Sequence, residues 1–351
     1  MSAQDNNKTG PLVGIRILEM AGIGPGPYAC MLLADMGAEV IKVEAVGRGD
    51  LARNLGADAE LSKQGMGISF LAQNAGKTSL TLNLKAPKGK AVLKRLVASA
   101  DVLVENFRPG TLDRMGLDPG ALKALNPRLI VASVNGYGSS GPYVDRPAFD
   151  FIAQAMSGFM ALTGEPAGQP MKMGISISDL TCGLYAVIGI QAALAMRART
   201  GTGQHIDMAL YDCSVALLAH QAQSYFTTGQ NPPRMGNMHA QVSAYGVFPT
   251  KDGPVVLAPA NDRLFRKLLE VFERHDLLDD ARFATNEGRI NNREQIDGII
   301  AEETAKWGRD ALLEACADRG VPAGPILEVS EVFEEPQVRA RGMTFPMADG
   351  L

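Results

Sequence analysis

Asp179 stands near the start of a long predicted helix, Ser178–Thr200, with small neighbours at Ser178, Thr181 and Cys182. A carboxylate in a first helical turn is favoured by the backbone dipole. The plain reading is therefore a helix-start signal, with Ser178 or Ser176 as its cap. The same physics can serve chemistry. Terminal amides would keep the carboxylate ionised at neutral pH, and an ionised carboxylate beside a thioester can act as a covalent nucleophile. Asp179 by itself leaves both readings open.

Three further segments could bind an anion or close over a substrate. Val104-Glu-Asn106-Phe107-Arg108-Pro109-Gly110 lies at the C-terminal end of a predicted strand, where open α/β sheets bind ligands. Arg108 and Arg114, with Lys77 on an earlier loop, could hold phosphates by charge-assisted hydrogen bonds, or could simply be solvated. Asn135-Gly136-Tyr137-Gly-Ser-Ser-Gly141 follows the next strand and would sit on the same edge, as a substrate lid or a plain surface loop. Gly22-Ile-Gly24-Pro-Gly26-Pro27 joins a strand to a helix, and Glu44 follows about twenty residues on, as a dinucleotide site requires. Pro27 stands where the third glycine of that fingerprint belongs, and two prolines remove amide donors, so a tight strand–helix turn is the simpler explanation. Met171-Lys-Met173 suits either an acyl pocket or adaptable core packing.

Strands and helices alternate around these segments. Val13–Glu19, Glu39–Glu44, Ser79–Leu84, Asp101–Glu105, Arg128–Val134 and His205–Leu210 read as strands. Pro25–Met36, Pro87–Ala100, Asp150–Leu162, Ser178–Thr200 and Tyr211–Gly229 read as helices. Strand–helix–strand repetition predicts an α/β fold whose large domain has a parallel, Rossmann-like sheet covered on both faces. After a Pro-, Asn- and Gly-rich segment at Gln230–Ser243, a hairpin at Tyr245–Thr250 and Val255–Pro259 turns through Asp252-Gly253. Helices near Asp262–Glu273, Asn292–Lys306 and Arg309–Arg319 and a strand near Pro325–Val329 complete a smaller α+β domain. The expected division is a large domain over residues 1–225 and a small one over 226–329.

Composition narrows the class. The chain of 351 residues is 46% hydrophobic and 21% charged, with net charge −4, which excludes a mainly disordered chain and argues against nucleic acid as the main partner. Cys30, Cys182, Cys213 and Cys316 are far apart, and neither they nor the four histidines show metal-ligand spacing. The N-terminal MSAQDNNKTG lacks the apolar core of a signal peptide. The apolar stretch Leu180–Met196 is interrupted by Gly183, Gly189 and Gln191 and reads as a buried helix rather than a membrane span. A soluble, cytoplasmic protein with no metal is expected.

ILEMAGIGPGPYACMLLADMGAEVIKVE, NAGKTSLTLNLK, VLVENFRPGTLDRMGL, NPRLIVASVNGYG and the Asp179 helix followed by RTGTGQHIDMAL occur in this order between about Pro11 and Met343. The ensemble resembles the class III CoA-transferases, the group of formyl-CoA transferase and carnitine CoA-transferase. The resemblance implies that Asp179 is the nucleophile and that CoA passes from an acyl-CoA to a free carboxylate through an aspartyl-CoA thioester. It implies that Asn106, Phe107 and Arg114 bind CoA, that the Lys77 loop approaches the nucleotide, and that Ile23 and Pro25 lie near the adenine. It places Gly136 and Tyr137 beside the thioester and Gly236–His239 in a mobile loop, and it matches Asp150 to an acidic position. No permanently bound cofactor is implied, because coenzyme A is a substrate. An interlocked homodimer is implied, with residues about 330–351 returning to the large domain. Formyl-CoA transferases carry a polar residue where Gly24 stands. The related α-methylacyl-CoA racemases place a proton-transferring His where this chain has Phe149, and a Glu where it has Asn261; phenylalanine cannot accept a proton. Racemase-type proton transfer, a dinucleotide-dependent oxidoreductase and a CoA-binding protein without turnover are the alternatives.

Overall fold

The computed structural model describes residues 9–345. The polar stretch MSAQDNNK and the last residues of the expected returning segment, 346–351, lie outside the described residues.

The chain forms two compact units: residues through Thr163 with Pro170–Pro232, and Gly164–Gln169 with the residues from Pro233 onward. The first unit is built on a six-stranded sheet of order β3-β2-β1-β4-β5-β6. Its strands are β1 (Arg16–Met20), β2 (Glu39–Ala45), β3 (Thr78–Leu82), β4 (Val102–Glu105), β5 (Ile130–Asn135) and β6 (His205–Ala209). Every pairing is parallel, with Ile17 opposite both Val40 and Val102. Strand order reverses between β1 and β4, and the carboxyl ends of these two strands lead into Gly22 and Asn106. That crevice is where open α/β sheets bind ligands.

Helices cover the sheet. The helix α1 (Pro25–Asp35) starts with Pro at its first turn, where no amide donor is needed. The helix α2 (Pro87–Ser99) and α3 (Pro119–Leu125) start the same way. The sequence predicts one helix over Asp150–Leu162; the chain instead forms α4 (Asp150–Met156), a break at Ser157–Gly158, and a single turn at Phe159–Leu162. The long helix α5 (Ile177–Thr200) ends at Gly201 as anticipated. The helix predicted over Tyr211–Gly229 is two, α6 (Leu210–Ala216) and α7 (Ala219–Thr228), and the expected domain boundary at 225/226 falls inside α7.

By length and composition α5 would suffice to cross a membrane, which the shorter apolar stretch read from the sequence did not suggest. One side of it is core: Cys182, Ala186, Ile190 and Ala193 are buried with Ala29, Cys30 and Leu33 of α1 and Val104, Ala132 and Val134 of the sheet. Gly183 makes this contact close, since a Cβ there would lie 2.8 Å from the Tyr28 ring and 3.0 Å from the Pro25 carbonyl.

The second unit holds the expected hairpin, β7 (Gly246–Phe248) and β8 (Val255–Leu257), antiparallel to each other and to β9 (Ala323–Pro325). The last strand lies two residues earlier than its predicted start at Pro325. Its own core contains Phe248, Leu257, Phe265, Leu268, Phe283, Ile296, Ile300 and Leu312. Asn261, matched to the racemase Glu, caps the helix α8 (Asp262–Val271) by accepting from the Leu264 amide at 3.0 Å.

Candidate active site

The loop from β1 into α1 is held from two sides. Asn106, just past β4, clamps Gly22: its Oδ1 accepts from the Gly22 amide at 3.1 Å and its Nδ2 donates to the Gly22 carbonyl at 2.6 Å. The Asp50 carboxylate accepts from the Ile23 amide at 3.3 Å. Ile23 has φ 34, a conformation unfavourable to a β-branched residue, and these bonds hold it there. Asp50 is itself fixed by Lys42 Nζ at 2.8 Å, and the same ammonium lies 2.6 Å from Glu19.

Gly24 follows, with φ +85, and faces Asp179 across the α1–α5 contact; a Cβ on Gly24 would fall 2.9 Å from Asp179 Oδ2. The carboxylate of Asp179 therefore occupies space that only a glycine leaves open. Asp179 also lines a cavity of about 290 Å³ with Ile23, Pro25, Phe107, Arg108, Gly136, Tyr137 and Phe149. Ile23, Asn106 and Phe107 form the boundary with a larger cavity of about 960 Å³, which is lined on its other walls by Arg48, Asp50 and Lys85. A third cavity of about 400 Å³ shares Phe107, Arg108, Pro109 and Asn135 with the smaller one but is not lined by Asp179.

The sequence suggests Ser176 or Ser178 as the cap of α5, and terminal amides that would keep Asp179 ionised. The structure corrects both. Ser176 makes no side-chain cap bond, and the Ser178 hydroxyl is taken by Ser214 at 2.9 Å. The amides of Ser178 and Asp179 donate instead to Asp150 Oδ1, at 2.8 and 3.3 Å. Burial, reinforced by the Asp150 charge, raises the Asp179 carboxyl from its ordinary 3.8 to about 7. The residue is thus partly protonated at neutral pH, and its ionised form is a stronger base than an ordinary carboxylate.

Other expected site residues separate into those at the cavities and those elsewhere. Ile23, Pro25, Asn106, Phe107, Gly136 and Tyr137 converge. Lys77 does not present its ammonium to the cavities. Its side chain is 2% exposed and lies 2.8 Å from Glu19, the Pro27 carbonyl and Asn74 Oδ1. Burial lowers its pKa against the pull of Glu19, so its charge belongs to the interior rather than to a phosphate. Three cations line the larger cavity: Lys42, buried and paired with Glu19 and Asp50, and Arg48 and Lys85, exposed side chains with no sequence signal beyond their charge. Arg114 is exposed on the turn after Gly110 and donates to Thr111 Oγ1 at 2.8 Å. Both oxygens of Glu44 are already bonded, Oε1 to Arg53 and Ser79 and Oε2 to Arg53 and the Asp50 amide, and although burial opposes its charge these bonds hold its pKa at about 2. Met171 and Met173 are exposed and lie in none of the three cavities and none of the buried clusters. Gly236–His239 belongs to the second unit. Among the described residues no three His, Cys, Asp or Glu side chains are grouped to hold a metal.

Comparison with known proteins identifies the family. The chain is 47% identical to the succinate–glutarate CoA-transferase of Agrobacterium fabrum over 340 residues, covering 96% of this chain and 85% of the relative. It is 39% identical to the acetyl-CoA:oxalate CoA-transferase of Acetobacter aceti over 335 residues, 95% of this chain and 85% of that one. The crystal structure of a CAIB/BAIF family protein from Brucella suis superposes with a TM-score of 0.85 at 45% identity, covering 96% of this chain and 89% of that one. The sequence profile of CoA-transferase family III matches residues 12–351, and the chain belongs to that family and is a CoA-transferase.

Proposed function

We propose that this enzyme carries CoA between acyl-CoA and a free carboxylate by covalent catalysis at Asp179. The observation that supports it most is the placement of Asp179: its carboxylate faces Gly24 at the wall of a small cavity that adjoins a larger one with cationic side chains. The larger cavity suits the nucleotide end of CoA, with Arg48 and Lys85 toward its phosphates and Ile23, Asn106 and Phe107 as walls shared with the smaller cavity, which Pro25 also lines. The smaller cavity takes the thioester between Asp179 and the Gly136–Tyr137 turn.

Ionised Asp179 attacks the donor thioester carbonyl, forming an acyl-aspartyl anhydride and releasing CoA thiolate. The thiolate attacks the aspartyl carbonyl, giving an aspartyl-CoA thioester and expelling the donor's carboxylate. An acceptor carboxylate repeats the first exchange on that thioester, and the liberated thiolate then attacks the acceptor's acyl carbon, which restores Asp179. Backbone amides are the natural stabilisers of each oxyanion; with prolines at 25 and 27, and the Gly22 and Ile23 amides bonded to Asn106 and Asp50, Gly24 and Gly26 are the candidates in this loop.

Arg108 and Arg146 line the smaller cavity, and Arg146 stacks over Tyr143 at 4.1 Å. These cations suit an acyl group with a second carboxylate, in keeping with the succinate–glutarate name of one relative. Racemase-type proton transfer lacks support, because the position of its histidine is Phe149, a side chain without a proton acceptor. We assign the protein to the cytoplasm, a reading supported by four free, buried cysteines. An interlocked homodimer is part of the same proposal, supported by exposed apolar side chains on the first unit at Ile188, Phe149 and Phe226.

The test supplies donor acyl-CoA without acceptor and then adds hydroxylamine. The expected outcome is a hydroxamate mass change on the peptide spanning Gly174 to Arg197. An unmodified peptide, with solvent deuterium entering the α-carbon of the acyl-CoA, would replace the transfer mechanism with proton transfer.

A further inference from the structure

We propose that Asp150 is the positioning residue of the nucleophile: it holds the first turn of α5 by two backbone amides and places its own carboxylate charge beside Asp179. The proposal rests on the reading of Asp179 as nucleophile.

The sequence of α5 supplies no side-chain cap of its own. The cap comes from α4. Asp150 Oδ1 accepts from the second and third amides of α5, and its Oδ2 accepts from Gln154 Nε2 at 2.6 Å. Gln154, one turn further along α4, is fully buried. Its Oε1 accepts from the Met173 amide at 2.9 Å, and its Nε2 reaches the Ile175 carbonyl at 3.4 Å. The pair Asp150–Gln154 therefore clips the whole approach to α5, residues 173–179, onto one face of α4. The Asp179 backbone cannot shift toward or away from Gly24 without breaking these bonds.

The same contact has an electrostatic effect. Free N-terminal amides would stabilise an anion on Asp179. Here they are directed to another carboxylate, which then faces Asp179 as a like charge. The remaining titratable groups lining the cavity with Asp179 are Arg108 after β4 and Tyr137, Asp145 and Arg146 in the segment after β5; Tyr28 on α1 packs against Gly183, and Cys182 on α5 neighbours both Asp179 and the pair Asp212 and Cys213 on α6. Besides burial, Asp150 alone moves Asp179 upward. A nucleophile kept basic in this way is partly protonated at rest and more reactive once ionised.

The experiment compares wild type with Asp150→Asn and Asp150→Ala. It measures the pH profile of single-turnover acyl-enzyme formation, read as hydroxamate on the Asp179 peptide. The Asn variant keeps an acceptor oxygen for the two amides and loses the charge, together with the acceptor for Gln154 Nε2. Its acid limb should move down by about one pH unit, with the plateau rate retained to within about fivefold. The Ala variant loses cap and charge, and its plateau should fall more than about tenfold. If the Ala variant does not fold, the near-isosteric Asn variant decides alone. An acid limb in the Asn variant at the wild-type pH overturns the proposal. Absence of label on Asp179 in wild type overturns the nucleophile assignment instead, so the two failures are distinct.

Discussion

Ionising Asp179 costs free energy, because its carboxyl is half-buried and faces a second carboxylate. Its folded pKa of about 7 lies above the ordinary 3.8, so the folded state binds the extra proton between those values. Stability from this group is fully present below about pH 4 and is lost as pH rises through about 7. Asp179→Asn should therefore be more stable than wild type at pH 8.5, by about 2 kcal/mol after allowance for water reaching the site, and equal to it at pH 4. Urea denaturation at the two pH values checks this; equal midpoints at pH 8.5 would show that the carboxyl is not strained. Catalysis has the opposite pH sense, with kcat/KM rising through about pH 7 as Asp179 ionises.

Lys77 and Lys85 provide a contrast between two lysines of one short segment. Lys77→Ala removes one of two cations paired with the buried Glu19, and stability should fall by about 3 kcal/mol. Lys85→Ala removes an exposed charge at the larger cavity, and CoA affinity should weaken by about 1 kcal/mol with stability unmoved. Calorimetric titration with CoA and thermal melting separate the two effects. A loss of CoA affinity in Lys77→Ala without loss of stability would return that residue to the phosphate site.

Two helices meet at the chemistry. The N-terminus of α1 approaches α5 because Gly183 leaves room for Tyr28 and the Pro25 carbonyl, and Gly24 leaves room for the Asp179 carboxylate. At Gly24 two costs coincide, a left-handed φ and a contact of 2.9 Å. Gly24→Ala should lower kcat more than about 100-fold, with CoA binding retained, since the methyl displaces the nucleophile while the nucleotide cavity keeps its walls. Steady-state kinetics with a parallel binding titration test this. The prediction fails if the Ala variant turns over within about tenfold of wild type.

Over the whole molecule, the first unit leaves large apolar side chains in solvent, including Ile188 at 61%, Phe149 at 68% and Phe226 at 77%. A second copy of the chain is the proposed cover. Sedimentation should report a dimer at nanomolar concentration. Mixing light and isotopically heavy protein should yield no mixed dimers over hours, because interlocked chains separate only by unfolding. Mixed dimers appearing within minutes would rule out interlocking.

Local pattern was enough for the alternating strands and helices, the hairpin at Asp252-Gly253 and the prominence of Asp179. β-branched runs, proline at helix starts and glycine after helix ends act over a few residues and are written in the chain itself. The family motifs added Ile23, Pro25, Asn106, Phe107, Gly136 and Tyr137, which tertiary structure brings to adjoining cavities. What composition and motif could not decide were partnerships between residues far apart in sequence. Lys77 carries the right charge on the right loop, yet folding buries it against Glu19, 58 positions away. Asp179 sits at a helix N-terminus, yet the amides there go to Asp150 on another helix, and its ionisation is the reverse of the one its own helix suggested. Charge state depends on burial and on through-space neighbours, and those exist only once the chain is packed.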